Sequence, residues 1–142
     1  MENSKLVKEF IEKIWNNRNF DIIDNFLHPE FRDHSLPPQI GSDKSGTIKW
    51  ITQTGKSFIH KTTIDDQVTE GEKSIIKISM DLKHIGKWRE FEATGTDLNT
   101  TGYRSFRFSD GKIIEHWGLI NGESIENQIS KAKKGCKINT KA

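Results

Sequence analysis

The sequence predicts a single α+β domain in which helices come first and an antiparallel sheet follows. Two observations support this prediction. Apolar residues recur every three to four positions near the N-terminus, and beyond Phe58 they recur every second position. Helices and strands that are grouped separately along a chain favour an antiparallel sheet over the alternating order of a parallel one. We therefore expect a curved antiparallel sheet, packed by N-terminal helices around an apolar pocket.

Two helices are predicted before the first strand. An amphipathic helix is indicated by the apolar positions Leu6, Val7, Phe10, Ile11, Ile14 and Trp15. Asn3 or Ser4 can cap its start. Residues 16–19 favour a turn, and a second short helix then extends from Phe20 to Leu27, where the His28-Pro29 step stops it.

A short strand and a third helix are predicted next. The strand covers Glu30 to Ser35, and the prolines and glycine of residues 36–42 indicate a loop. The helix extends from about Asp43 to Phe58. Its two internal glycines and its β-branched residues make this helix the weakest of the three by intrinsic propensity.

The remaining chain alternates as strands do. A hairpin turn at 70–73 precedes a strand with one dry face, formed by Ile76, Ile78, Met80 and Leu82, and His84 continues the same parity. A long strand-like stretch ends at Phe108, and an Asp-Gly turn at 109–112 leads into a strand from Ile113 to Ile120. A short helix from about Glu123 to Ala132 completes the domain.

Length and composition restrict the class of protein. The chain has 142 residues and a formal net charge of +2, so we expect one domain over 1–132, a basic and frayed tail over 133–142, and no nucleic-acid partner. The single cysteine, Cys136, excludes an internal disulfide. No apolar stretch indicates a signal or a membrane segment, so we predict a cytoplasmic protein that does not bind membranes.

The last predicted strand carries large side chains on both faces. Simple alternation places Ile113, Trp117 and Leu119 on one face and His116 on the other. Two faces of this kind usually meet protein or ligand rather than water. We therefore expect one face to bury against the helices and the other against a second subunit, which predicts a homodimer formed through the sheet.

Two segments carry a family resemblance. Residues 15–24 with 28–34 form a helix ending in Trp-Asn, a short helix and a strand ending in Asp-His, and residues 106–117 read Phe-Arg-Phe-Ser-Asp-Gly-Lys-Ile-Ile-Glu-His-Trp. In this order they resemble SnoaL-like polyketide cyclases of the NTF2-like superfamily. The resemblance implies a cone-shaped α+β barrel, usually dimeric, that holds a small apolar molecule and closes a polyketide ring by an aldol step without metal or organic cofactor.

The resemblance also directs attention to the end of the last strand. The family's acid and base is a carboxylate a few residues past the Glu-His-Trp motif, and the corresponding residue here is Asn121, whose amide can bind a carbonyl but cannot transfer a proton. Other proton-transfer candidates are Glu115, His116 and His34. Glu115 lines the pocket if Trp117 does, whereas the opposite orientation selects His116.

Aromatic residues supply the predicted pocket wall. Those expected to contact a ligand are Trp15, Trp88, Phe106 and Trp117, together with Asn121. The five histidines lack metal-site spacing, and no Gly-rich phosphate loop is present, so we predict no metal and no nucleotide cofactor. Three functions remain open: a cyclase acting on a small apolar carbonyl compound, a non-catalytic protein that binds an apolar ligand, and a module that binds another protein through its sheet.

Overall fold

A computed structural model describes the backbone of residues 2–141 and the side chains of residues 2–133. Helix α1 (Asn3–Phe10) continues as a π-helical turn (Ile11–Asn16) and is followed by a 3₁₀ helix (Phe20–Asn25). The later elements are β1 (Leu27–Asp33), α2 (Lys44–Ser57), β2 (Phe58–Glu70), β3 (Lys73–His84), β4 (Asp97–Ser109), β5 (Lys112–Ile120) and α3 (Gly122–Lys141).

The α+β class is confirmed, with five strands in the order β1-β5-β4-β3-β2. Two details differ from expectation. Strand β1 pairs in parallel with β5, whereas the other neighbours are antiparallel. This is possible because a long stretch of chain, rather than a hairpin, connects β1 to β5. Strands β1 and β2 are the two edges of the sheet and do not pair with each other. The curved sheet therefore does not close into a barrel.

Strand β1 begins three residues earlier than predicted and includes the His28-Pro29 step. Proline has no N–H to donate to a neighbouring strand, which makes it rare in central strands and tolerable at an edge. Because β1 pairs on one side only, Pro29 fits there. The preceding 3₁₀ helix therefore ends at Asn25 instead of Leu27.

Helix α2 confirms the weakest of the helix predictions. The Asp43 side chain caps its start by accepting a hydrogen bond from the Gly46 N–H at 2.9 Å. Gly46 is required by packing, because a Cβ there would lie 2.2 Å from the Gly41 carbonyl oxygen. The predicted caps of α1 are wrong: Glu2 occupies the N-cap position, and the Asn3 amide instead donates to the Gly71 carbonyl oxygen at 3.0 Å.

The core lies between the concave face of the sheet and the helices. The predicted dry face of β3 is confirmed, since Ile76, Ile78, Met80, Leu82 and His84 are all buried. The apolar stripe of α1 and its π-helical turn packs onto this face. Burial of this kind is the main favourable contribution to the folding free energy.

Strand β5 contains a bulge that changes which residues share a face. Phe108 pairs with Ile113 whereas Arg107 pairs with Glu115, so one extra residue interrupts the alternation. Ile113 and His116 are consequently both buried. The expectation that Ile113 shares a face with Trp117 is therefore wrong, because simple alternation does not count the bulged residue.

The C-terminal helix α3 continues beyond the predicted end at Ala132. The expected basic tail over 133–142, including Cys136, lies almost wholly outside the described side chains. In the described part of the chain, every helix is too short or too polar to cross a bilayer.

Candidate functional site

A cavity of about 730 Å³ lies between the concave face of the sheet and the helices. Its wall includes Trp15 after α1, Trp50 of α2 and His60 of β2, and it extends past Arg104 of β4 to Ser35 after β1. Its volume falls within the range of roughly 300–1,000 Å³ that is typical of small-molecule sites.

A buried carboxylate and a buried imidazole meet beside this cavity. Asp33 on β1 is in register with His116 on the neighbouring β5. The His116 Nδ1 and Asp33 Oδ2 atoms are 2.8 Å apart, and both residues are 3% exposed. The second carboxylate oxygen of Asp33 accepts hydrogen bonds from the Ser35 N–H at 2.9 Å and the Ser35 hydroxyl at 2.6 Å. The carboxylate is therefore held on both of its oxygens.

Arg104 extends the pair into a chain of three, called here the inner cluster: Asp33, His116 and Arg104. The Arg104 Nη1 group donates to His116 Nε2 at 3.3 Å, and the guanidinium lies 4.2 Å from the centre of the Trp15 ring. Gly118 faces Arg104 across the strands. A Cβ at Gly118 would lie 3.1 Å from Nη1 and 3.2 Å from the His116 ring, so the glycine leaves room for both side chains.

The hydrogen bonds define the protonation states of the inner cluster. Arginine can only donate, so His116 Nε2 must accept and Nδ1 must carry the proton that is donated to Asp33. Burial lowers the pKa of His116 although Asp33 opposes this, which agrees with a neutral ring. Burial alone would raise the pKa of Asp33, but the hydrogen bonds from His116 and Ser35 outweigh it and the pKa is lowered.

Arg104 remains a cation at neutral pH. Burial lowers its pKa to about 10, partly opposed by the charge of Asp33. At pH 7 the inner cluster therefore holds a carboxylate, a neutral imidazole and a guanidinium cation. Buried charges of this kind are uncommon outside functional sites, because removing ions from water costs several kcal/mol each.

His60 lines the cavity itself, whereas His116 lies behind Asp33 and Arg104 and does not. Its Nε2 atom lies 2.5 Å from the Thr62 hydroxyl oxygen. Burial, followed by the positive charges of Arg104 and Arg18, lowers the pKa of His60 to about 4. His60 is therefore neutral at pH 7, mainly because it is buried, and the charges of Arg104 and Arg18 act in the same direction.

Comparison with known proteins identifies the family. The family model described as SnoaL-like polyketide cyclase matches residues 5–129. The chain belongs to the SnoaL-like polyketide cyclase family. Among curated proteins, none matches this sequence.

Several solved structures share the fold of this SnoaL-like protein. IdmH from Streptomyces antibioticus, a candidate polyketide cyclase, has a TM-score of 0.81 at 20% identity, covering 92% of this chain and 99% of its own. A SnoaL-like polyketide cyclase from Agrobacterium tumefaciens has a TM-score of 0.75 at 14% identity, covering 90% and 98%. AclR from Streptomyces galilaeus, a candidate hydroxylase, has a TM-score of 0.77 at 21% identity, covering 90% and 95%. These likenesses establish the fold, and one fold hosts many chemistries.

The aromatic residues predicted to contact a ligand in this SnoaL-like protein differ in where they lie relative to the cavity. Trp15 and Trp88 line the cavity. Phe106 is buried and outside the lining, with its ring 5.0 Å from that of His116. Trp117 lies on the opposite, convex face and is 42% exposed. Trp117 and Glu115 both face outward. His116 therefore faces the interior, which is the second of the two predicted orientations.

Glu115 and His34 meet on the convex face, away from the cavity. The His34 Nε2 and Glu115 Oε2 atoms are 2.7 Å apart, and the Arg107 guanidinium also hydrogen-bonds to Glu115. These three residues are called here the outer cluster. The hydrogen bond from Arg107, followed by that with His34, lowers the pKa of Glu115. The Trp117 ring stacks on His34 at 4.7 Å.

Asn121 has a local structural role. Its side-chain oxygen accepts a hydrogen bond from the Ser124 N–H at 3.0 Å, which is the geometry of a helix N-cap at the start of α3. Its neighbours Ile120 and Gly122 line the cavity, but Asn121 does not. Asn121, which we expected to contact a ligand, therefore lies outside the cavity wall.

The sequence interpretation missed Arg104 and His60, and it considered Asp33 only as a neighbour of His34. A usable signal existed for two of these residues. Arg104 has the parity of the buried Phe106 and Phe108, and Asp33 has the parity of the buried Phe31. A charged residue on the dry parity of a strand suggests a buried, functional group.

Proposed function

We propose that this SnoaL-like protein carries out acid/base, aldol-type chemistry on a small apolar carbonyl compound bound in the cavity. The observation that carries the proposal is the ionised inner cluster at the cavity wall. Aldol chemistry needs a base beside a carbonyl and a cation or hydrogen-bond donor that stabilises the enolate oxygen. Asp33 and Arg104 are residues of these two kinds, and both line the same cavity.

In the proposed reaction, Asp33 is the base. A carboxylate oxygen takes a proton from the carbon beside the substrate carbonyl, and the C–H electron pair moves to form an enolate. The enolate carbon then bonds to a second carbonyl carbon of the same molecule. The resulting alkoxide takes the proton back from Asp33. The lowered pKa of Asp33 makes it a weak base, but it keeps the base form fully populated at neutral pH.

Arg104 stabilises the developing oxyanion. Its guanidinium is fixed by the His116 ring at one end and by the face of Trp15, so no large rearrangement is needed when negative charge appears. His116 acts as a positioning residue, because its two nitrogens hold Asp33 and Arg104 at once. The missing carboxylate at Asn121 is thereby replaced by one from the neighbouring strand β1.

Deuterium exchange tests the first step without knowledge of the natural substrate. The protein is incubated in D₂O with β-benzoylpropionate, a keto acid, or its methyl ester, and exchange beside the ketone is followed by mass and NMR. We expect catalysed exchange that falls at least a hundredfold in Asp33→Asn. The matched control is Glu115→Gln, which removes an outward carboxylate and should keep the rate. Retention of exchange in Asp33→Asn would refute the assignment.

A second function is supported by Asn121 and by the hydrogen bonds of Asp33. Because both carboxylate oxygens of Asp33 are already engaged, the same cavity can bind an apolar carbonyl compound without turnover. Saturable binding of either probe without any deuterium exchange would favour this function over the enzyme.

We also propose a homodimer formed through the convex face of the sheet. This face exposes a group of large apolar residues: Ile59, Val68, Ile75, Tyr103, Trp117 and Leu119. Val68 is in register with Ile75, and Tyr103 is in register with Leu119, so several of these side chains lie beside each other on neighbouring strands. Apolar patches of this kind support association, and a second copy of the chain is the partner proposed here.

A further inference from the structure

The described cavity wall offers more positive charge than the proposed aldol chemistry requires. Its formally charged residues are Arg18, Asp33, Arg89 and Arg104. Asp33 is engaged within the inner cluster, and Arg89 is paired with Glu126 at 3.0 Å. Arg104 is assigned to the carbonyl oxygen. Arg18 is the remaining cation, and no carboxylate among the described side chains lies within ion-pair distance of it.

His60 lies on the same cavity wall. Burial, followed by the positive charges of Arg104 and Arg18, lowers the pKa of His60 to about 4. The part of this shift that the two arginines contribute agrees with a positive environment at the wall.

The position of Arg18 is built into the fold. Its backbone φ is +55°, a left-handed conformation that few residues other than glycine adopt. Its guanidinium lies against Gly55 of α2, where an added Cβ would be 2.6 Å from Nη2. Gly55 also lines the cavity. The glycine therefore lets a solvent-exposed arginine lie flat against the helix at the cavity wall.

We infer that the ligand is an anion, specifically an apolar keto acid whose carboxylate binds Arg18 while its carbonyl lies beside Arg104. This inference rests on the proposed function and narrows its substrate class from carbonyl compounds in general to carboxylic acids. A neutral ester of the same skeleton leaves Arg18 without a counterion. The acid and its ester therefore differ in affinity for a reason that can be tested at one residue.

The experiment compares β-benzoylpropionate with its methyl ester by calorimetric titration. We expect wild type to bind the acid about fivefold or more tightly than the ester, as for one partly exposed ion pair in a positive cavity. In Arg18→Met the preference should fall to about twofold or less, while the affinity for the ester stays unchanged. The matched control is Arg107→Met, an arginine of β4 on the convex face, which should keep the wild-type preference.

Gly55→Ala provides a second variant that keeps the charge. The added methyl group displaces only the flexible end of Arg18, so the protein should fold and yet lose most of the preference for the acid. Equal or tighter binding of the ester by wild type, or a preference that persists in Arg18→Met, would overturn the inference and leave the proposed function in place. Binding of neither probe would contradict the proposed function itself.

Discussion

The two faces of the sheet carry the same three kinds of side chain in different surroundings. The inner cluster joins an arginine of β4, a histidine of β5 and a carboxylate of β1. The outer cluster joins Arg107 of β4, Glu115 of β5 and His34, which follows β1. Arg104 is 5% exposed, whereas the Arg107 side chain is 44% exposed. Similar residues on the same three parts of the sheet thus form one dry and one wet cluster.

The comparison shows that burial, rather than residue type, decides what these groups can do. In water an ion pair contributes about 1 kcal/mol or less, because solvent screens the charges. In a dry interior each charge depends on its partner, since an uncompensated buried ion costs several kcal/mol. Substitutions in the inner cluster should therefore lower the free energy of unfolding more than substitutions in the outer cluster. The charges of the inner cluster can also act strongly on a bound ligand.

The largest contrast is expected from removing one histidine from each cluster. His116→Leu leaves the Asp33 carboxylate buried without its main hydrogen-bond donor and should lower the free energy of unfolding by about 3–5 kcal/mol. His34→Leu, its matched control on the convex face, should lower it by less than about 1 kcal/mol. Urea denaturation at pH 7 measures both. Equal losses would show that the two faces do not differ in the way proposed.

A pH titration of stability sharpens the contrast at His60. Its pKa is about 4 in the folded protein and 6.5 in the unfolded chain. Between these values the unfolded chain binds the proton and the folded protein does not, so stability is present above pH 6.5 and is lost as pH falls towards 4. The difference corresponds to about 3 kcal/mol.

His60→Gln provides the control for this titration. Glutamine does not titrate, so the loss of stability between pH 6.5 and pH 4 should be about 3 kcal/mol smaller in the variant than in wild type. Urea denaturation across this range gives both curves. Parallel curves would show that His60 is not the group responsible and would assign the acid sensitivity to others.

The smallest effect on the cavity is expected from a substitution on the convex face. Leu119 is 75% exposed, and Leu119→Lys places a charge in the proposed dimer interface. Light scattering should change from a dimer to a monomer, because each protomer would bury an unpaired charge in an otherwise apolar interface. Affinity of the cavity for β-benzoylpropionate should change less than twofold. A wild-type monomer, or a dimer unaffected by the substitution, would contradict the proposed interface.

The site was only partly predictable because β5 contains a bulge. Local alternation correctly separated His116 from Trp117, but it could not decide which of them faces the interior. The bulge at residues 113–115 depends on pairing with β4, which is a contact between strands and not a property of the strand itself. The parity of Asp33 indicates burial, but its pairing with His116 was hidden, since the two residues are 83 positions apart in the sequence.

The sequence by itself determined the α+β class, the hairpin turns, the helix α2 and the dry face of β3. Each of these follows from periodicity or from turn chemistry within a few residues. Only the tertiary structure decided that β1 runs parallel to β5, that the sheet stays open, and that Asp33, His116 and Arg104 meet beside a cavity. The reason is physical: the register between distant strands and the burial of a charge depend on the whole packed chain, which no local pattern encodes.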